Sequence, residues 1–373
     1  MIPTTWFTVT YRLQGTAEEA RARADELRYE QTVEFPMDLT PEAIRETSVG
    51  RVVDTAPDPA GGQRVTIAYA PETAGNELTQ FLNVVFGNTS IKPGVRVERF
   101  DLTPAMLAHY RGPRYGRAGL RAVLAAPTRP LLCTALKPMG LSARELAQHA
   151  YQFALGGIDI IKDDHGLADQ SFSPFSERVR ACVAAVQEAN ARTGYRSLYM
   201  PNVTASHGQV VERAHLAKAY GAGGVLISPG LSGFDTARHL ADDDQLALPI
   251  MSHPALLGSF TAAPDNGFSH FALYGQLNRL AGIDAVVFPS WGGRFSFTRA
   301  ECESIARGSI EPMGALAPIF PTPGGGMKRE RVEEMLGAYG KDVIFLIGGD
   351  LHRPGPDLAD NSRRFRDLVE TYA

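Results

Sequence analysis

The residues best suited to chemistry sit directly behind short apolar runs. Ile160-Ile161 leads at once into Lys162-Asp163-Asp164-His165. Three consecutive charges after a buried run are costly to place unless they serve a site or an ion-pair network. Period-two alternation puts Lys162 and Asp164 on one face. A lysine there either pairs with carboxylates or reacts with CO2 to give a carbamate, which ligates a cation as a carboxylate does. A second run, Cys133-Thr134-Ala135-Leu136, ends in Lys137-Pro138. A lysine held there suits a base, an acid or an anion binder, and a plain surface lysine is the alternative. Pro201-Asn202-Val203-Thr204 and Met251-Ser252-His253-Pro254 close two further runs. His253 reads as a site residue or as a satisfied structural histidine. Pro323-Gly324-Gly325-Gly326 and Gly348-Gly349-Asp350 supply glycines, whose backbone N–H groups can approach an anion closely. Turn glycines explain either run; two together favour phosphate.

These residues need strands to position them. Strand candidates begin near Leu131, Asp159, Ser197, Gly223, Leu248, Ala285, Leu316 and Val343. Helical stretches such as Ala143–Leu155, Phe175–Ala191, Arg329–Leu336 and Asp360–Tyr372 alternate with them. Eight βα units over about 240 residues predict a (β/α)8 TIM barrel, with an open doubly wound sheet as the alternative. In such a barrel the active site lies at the C-terminal strand ends, and the loops after strands seven and eight often bind phosphate. Ahead of it, Trp6–Arg12 and Gln63–Tyr69 alternate like strands, and Thr16–Tyr29 and Asn76–Phe86 have helical character. Gly61-Gly62 marks a hairpin break, and Met106–Thr128 reads as a connection. The division predicted is an N-terminal α+β, ferredoxin-like domain over residues 1–125 and a barrel over 126–373.

The 373 residues suit one large and one small domain. At 44% apolar and 21% charged, the chain can bury a core, which argues against disorder. A net charge of -4 provides no polybasic field, so nucleic acid and anionic membrane are poor partners. Cys133, Cys182 and Cys302 are scattered and odd in number, which fits neither a disulfide framework nor a zinc site. No signal peptide or membrane-length apolar run is expected, and a reducing cytoplasm fits.

Taken together, the motifs resemble the RuBisCO superfamily over nearly the whole chain. Lys137-Pro138-Met139-Gly140-Leu141-Ser142 is similar to its K-P-K-x-G-L-S segment, and Gly156-Gly157-Ile158-Asp159 through His165 to its G-G-x-D-x-x-K-D-D-E segment. Phe86-Gly87-Asn88 and Glu30-Gln31-Thr32 resemble N-terminal segments of the family. The resemblance implies a carbamylated Lys162 that binds Mg2+ with Asp164, and a Lys137 that handles protons during enolisation. It implies His253 and Asn202 at the substrate, and Gly324, Gly325, Gly348 and Gly349 as phosphate-binding backbone. It also implies a homodimer in which Asn88, Glu30 and Thr32 reach the neighbouring subunit's site.

Several positions depart from the carboxylase pattern. His165 stands where the third metal ligand, a Glu, is expected, and Met139 where a second lysine belongs. Pro254 follows His253 where carboxylases carry an arginine for the second phosphate. Arg294 falls where the mobile-loop lysine lies, and a guanidinium does not replace a compact ammonium. The departures match the RuBisCO-like, type IV branch and imply enolate chemistry on a monophosphorylated keto compound without carboxylation. Cleavage of a C–C bond in a keto sugar-acid phosphate, as in apiose catabolism, is the expectation. An enolase, isomerase or tautomerase of methionine-salvage type and a non-catalytic binding relic are the alternatives. For the metal, His165 as third ligand, a softer cation such as Mn2+, and no metal with His165 as acid–base all stand open.

Overall fold

The computed structural model describes residues 3–206, 208–295, 297–353, 355 and 357–373. Toward the N-terminus, β1 (Phe7–Leu13), the helix Ala17–Glu30, β2 (Arg51–Pro57), β3 (Gln63–Tyr69), the helix Leu78–Phe86 and β4 (Val95–Asp101) follow one another. The strand order β4-β1-β3-β2, with every neighbour antiparallel, is the split βαβ arrangement of ferredoxin-like domains. Thr16 and Glu19 close a capping box that starts the first helix. β4 was not anticipated, because Arg96, Glu98 and Arg99 blur its alternation. Arg96 is nevertheless buried, its guanidinium donating to the carbonyls of Ala263 and Pro264.

The remainder forms the barrel. Its strands are β5 (Leu131–Leu136), β6 (Ile160–Asp163), β7 (Leu198–Met200), β8 (Val225–Ile227), β9 (Ile250–Ser252), β11 (Ala285–Pro289), β12 (Phe320–Gly324) and β13 (Ile344–Ile347). Between β9 and β11 lies β10 (Gly267–Phe268), which leaves the barrel and pairs in parallel with β4. Barrel neighbours pair in parallel in two arcs, β13-β5-β6-β7 and β8-β9-β11-β12. A bridge between Asn202 and Leu226 joins the arcs on one side, and Leu346 of β13 packs under Gly324 of β12 on the other. The seventh strand starts at Phe320 rather than Leu316, because the carbonyls of Leu316 and Ala317 are taken by the buried Arg279 guanidinium.

Cys133, Ile160, Met200, Leu226, Met251 and Phe320 belong to one buried cluster inside the barrel. Leu120 and Leu124, on the helix Gly116–Leu124, join that cluster from the strand-start end, where Asp284 accepts the N–H groups of Tyr115 and Gly116. Alternation sets what comes next along each strand. Two residues beyond Met251 is His253, beyond Ile160 are Lys162 and then Asp164, and beyond Cys133 are Ala135 and then Lys137. One pleat phase thus fills the core below and presents the polar residues above.

Candidate active site

Lys162 is buried in the lumen, and its Nζ donates to the carbonyl of Asp163 at 3.1 Å. Burial lowers its pKa, which favours the neutral amine. Above it, Lys137 Nζ lies 3.1 Å from Asp164 Oδ1, and His165 Nδ1 approaches the same oxygen at 3.5 Å. Burial alone would raise the Asp164 pKa. The His165 contact and the charges of Lys137 and Lys162 outweigh it and hold the carboxyl well below the usual range. The His165 ring stacks on His253 with centroids 4.2 Å apart and planes 6° from parallel. His253 is pushed down to about 2, first by burial and then by Lys162 and His165. Its Nδ1 accepts the Ala255 N–H at 3.2 Å, so Nε2 carries the hydrogen of the neutral ring. The mouth therefore holds an ammonium–carboxylate pair beside a neutral imidazole donor.

An outward-facing network, absent from the sequence reading, fixes this turn. Asp163, on the opposite face of β6 from Lys162, is fully buried and receives Arg178 Nε at 3.1 Å, the Tyr199 hydroxyl at 2.7 Å and the Asn202 N–H at 3.0 Å. Arg178 also donates to the carbonyls of Ser173 and Ala168, both at 2.6 Å. Asn202 turns its amide hydrogens to the carbonyls of His165 and Leu167 at 3.0 and 2.9 Å, and its oxygen accepts the Thr204 N–H. Its side chain thus braces the loop that carries Asp164 and His165. Nothing in the sequence around Arg178 signals this role: its partners Asp163, Ala168 and Ser173 all lie in the stretch just before its helix, and only the folded loop turns their acceptors toward it.

The glycine-rich loops follow β12 and β13, and β13 pairs with β5, the strand that leads to Lys137. A side chain at Gly348 or Gly349 would meet nothing within 4 Å, so that backbone borders open space. Gly325 has φ 76°, a left-handed conformation that favours glycine. A Cβ at Gly293 would lie 2.0 Å from the Gly325 carbonyl, so the two loops touch backbone to backbone. The Arg294 N–H donates to that same carbonyl at 3.3 Å, while its exposed guanidinium lies 4.9 Å from the Phe295 ring centre. Trp291 anchors the loop, its Nε1 donating to Glu334 at 2.9 Å and its carbonyl accepting Arg331 Nη1 at 2.8 Å.

The N-terminal candidates gather elsewhere. Asn88 Nδ2 donates to Glu30 at 3.0 Å and to Glu34 at 3.3 Å, and the Thr32 hydroxyl bonds back to the Arg28 carbonyl. Among the described residues, no hydrogen bond or ion pair links this group to Lys137, Lys162, Asp164 or His253.

The donor chemistry suits a divalent cation once Lys162 carries a carbamate. A neutral buried amine is the form that adds CO2, and Asp164 is an anion. Two hydroxyls, Ser228 Oγ beyond Leu226 and Thr322 Oγ1 beyond Phe320, are buried without a partner in the same pleat phase. They give the lumen spare hydrogen-bonding capacity. Among the described residues no group of three or more His, Cys, Asp or Glu side chains converges; a carbamate on Lys162 would add oxygen donors on the face that carries Asp164.

Fold and mouth together define a (β/α)8 enzyme class with acid–base groups at the strand ends beside two glycine-rich loops. The ribulose bisphosphate carboxylase large chain catalytic domain matches residues 116–355. The ribulose bisphosphate carboxylase-like protein 1 of Rhodopseudomonas palustris is 41% identical over 98% of this chain and 97% of its own. The 5-methylthioribulose-1-phosphate isomerase of Rhodospirillum rubrum is 39% identical over 95% and 94%. The crystal structure of a Rubisco-like protein from R. palustris superimposes with a TM-score of 0.90 at 39% identity, covering 100% of this chain and 99% of that one. The chain belongs to the RuBisCO large-chain family, in its RuBisCO-like branch.

Proposed function

We propose that this chain is an enzyme that moves a proton through an enolate of a monophosphorylated ketose and does not fix CO2. The Lys137–Asp164 pair beside the neutral His253 donor carries the reading. An ion-paired lysine and an imidazole that burial keeps neutral sit together at the mouth. The phosphate binds the Gly324–Gly325 and Gly348–Gly349 backbone, which places the carbonyl toward the β5, β6 and β9 ends. As the free amine Lys137 takes the proton from the carbon beside the carbonyl, and as the ammonium it returns that proton to the neighbouring carbon, while the Asp164 carboxylate stabilises its charged form. His253 donates its Nε2–H to the developing oxyanion. When bound to carbamylated Lys162 and Asp164, Mg2+ or a similar cation adds Lewis-acid stabilisation of the enolate. Arg294 is assigned to the outer edge of the phosphate loop.

The isomerase named among the relatives supports a ketose isomerase or enolase. Cleavage of a keto sugar-acid phosphate is the second reading, favoured by His165 in place of a carboxylate ligand. The exposed Asn88–Glu30–Glu34 group, with Thr32 beside it, is assigned to the neighbouring subunit's site in a homodimer. The three buried free cysteines fit a cytoplasmic setting. No helix among the described residues is long and apolar enough to cross a membrane.

The test is incubation with Mg2+ and bicarbonate in D2O against monophosphorylated ketoses, including 5-methylthioribulose 1-phosphate, and keto sugar-acid phosphates. Loss of a carbon-bound proton signal without fragmentation is the expected NMR result. Two products would select cleavage. Binding with no exchange anywhere would leave a non-catalytic relic.

A further inference from the structure

His149 lies outside every group assigned above, on the helix Ala143–Leu155. Its Nδ1 is 3.1 Å from the carbonyl of Lys137. A carbonyl only accepts, so Nδ1 carries a hydrogen and donates. The last β5–β6 pair is Leu136 with Asp163, so the Lys137 carbonyl lies one residue past the ladder, and His149 supplies its partner. One helical turn on, Phe153 shares the His149 face. His352 completes a triangle of rings, with centroids 5.8 Å from His149, 5.8 Å from Phe153, and 6.3 Å between those two. The His352 N–H donates to the Gly349 carbonyl at 3.1 Å, closing the turn that follows the Gly348–Gly349 loop. The ring triangle thus joins the backbone under the proton-handling lysine to the backbone of the anion loop.

We propose that His149 is a positioning residue with two separable tasks: its Nδ1–H fixes Lys137, and its ring, through His352, fixes the Gly348–Gly349 phosphate loop. This rests on the assignment of Lys137 and of the loop made above. Burial, and then His149, lower the His352 pKa. The helical position carries an i, i+4 pairing with Phe153 that reads as ordinary packing, which is why sequence alone did not single it out.

Two substitutions divide the tasks. His149→Asn keeps a donor where Nδ1 stood and removes the ring. His149→Leu keeps apolar bulk and removes the donor. With 5-methylthioribulose 1-phosphate as substrate, His149→Asn should hold kcat within twofold and weaken inhibition by inorganic phosphate about fivefold. His149→Leu should lower kcat at least tenfold and leave phosphate inhibition within twofold. His352→Ala should reproduce the His149→Asn pattern. Equal loss of kcat in both His149 variants, or no change in either, would overturn the proposal. If the wild type does not turn over that substrate, the functional reading fails separately. Two arms then remain: binding of inorganic phosphate by calorimetry, and the 13C NMR signal of reductively methylated Lys137. With six lysines in the chain that signal is assignable by Lys137→Arg. It should shift in His149→Leu and stay in His149→Asn; the reverse pattern would overturn the proposal. Should one His149 variant fail to fold, the other and His352→Ala decide.

Discussion

The Asp163–Arg178 pair should be the most expensive single contact to break around the site. Both side chains are wholly buried, and Asp163 gathers three donors at 2.7 to 3.1 Å. Asp163→Asn turns an amide N–H toward those donors and strands the Arg178 charge. Breaking a buried pair from one side costs about 3–5 kcal/mol. Unfolding entropy of roughly 2.1 cal/mol/K per residue gives about 0.8 kcal/mol/K for this chain, so Tm should fall by about 4–6 °C. Arg178→Leu should cost a similar amount, because it leaves the carboxylate unpaired. Asp163→Leu combined with Arg178→Leu should recover much of the loss, since apolar replacements of a buried pair are often near neutral. Differential scanning calorimetry on wild type, Asp163→Asn, Asp163→Leu, Arg178→Leu and the double variant measures the cycle. A fall under about 1 °C for Asp163→Asn, or a double variant that loses the sum of the singles, would refute the reasoning.

Four further outcomes are expected. His253 has a folded pKa far below its ordinary value of 6.5, so its contribution is present above that pH and is lost as pH falls below it. His253→Gln should flatten the acid side of the Tm–pH curve by up to about 1.4 kcal/mol per pH unit, and an unchanged slope would contradict the assignment. Lys162→Arg, which cannot form a carbamate, should abolish proton exchange and any bicarbonate dependence; retained dependence would locate the CO2 effect elsewhere. Gly325→Ala forces a left-handed alanine and sets its Cβ 3.2 Å from Phe295, so Tm should drop by about 1–3 °C and phosphate binding should weaken, as titration calorimetry would record. Mixing Asn88→Ala and Lys162→Ala subunits should restore activity in hybrid dimers, and none recovered would count against shared sites.

The barrel and its mouth were legible because alternation is a local property. Once Ile160-Ile161 is a buried strand, the same period that hides Ile160 delivers Lys162 and Asp164 to the lumen. The glycine runs were legible for a similar reason, since only position on the strand end matters. The contacts that hold the site were not legible. Trp291 bonds to residues some forty positions on and the His149 ring meets His352, while Arg178 depends on how the loop ahead of its own helix folds back; each looks locally like an ordinary residue of a helix or a loop. Asn202 shows the converse: its location was anticipated, but the amide spends its hydrogen bonds on neighbouring carbonyls. β4 was hidden because its charged residues pair with one another, Arg96 with Glu98 and Arg99 with Asp101, and with Arg12 and Glu311 elsewhere, so a charged stretch there is still a strand.

β10 has a consequence for how the chain is made. This two-residue strand covers the outer edge of β4, with Phe268 edge-on to Phe86 at 5.1 Å, and both Arg12 and Arg96 grip carbonyls just before it. During synthesis β4 leaves the ribosome long before Gly267 exists. The small sheet must wait with its β4 edge as raw as its β2 edge until half the barrel has been translated. An uncovered edge invites pairing with another nascent chain. The late strand is therefore a seal as well as a joint, and the order of translation leaves a window in which the N-terminal unit depends on slow aggregation or a chaperone to stay single.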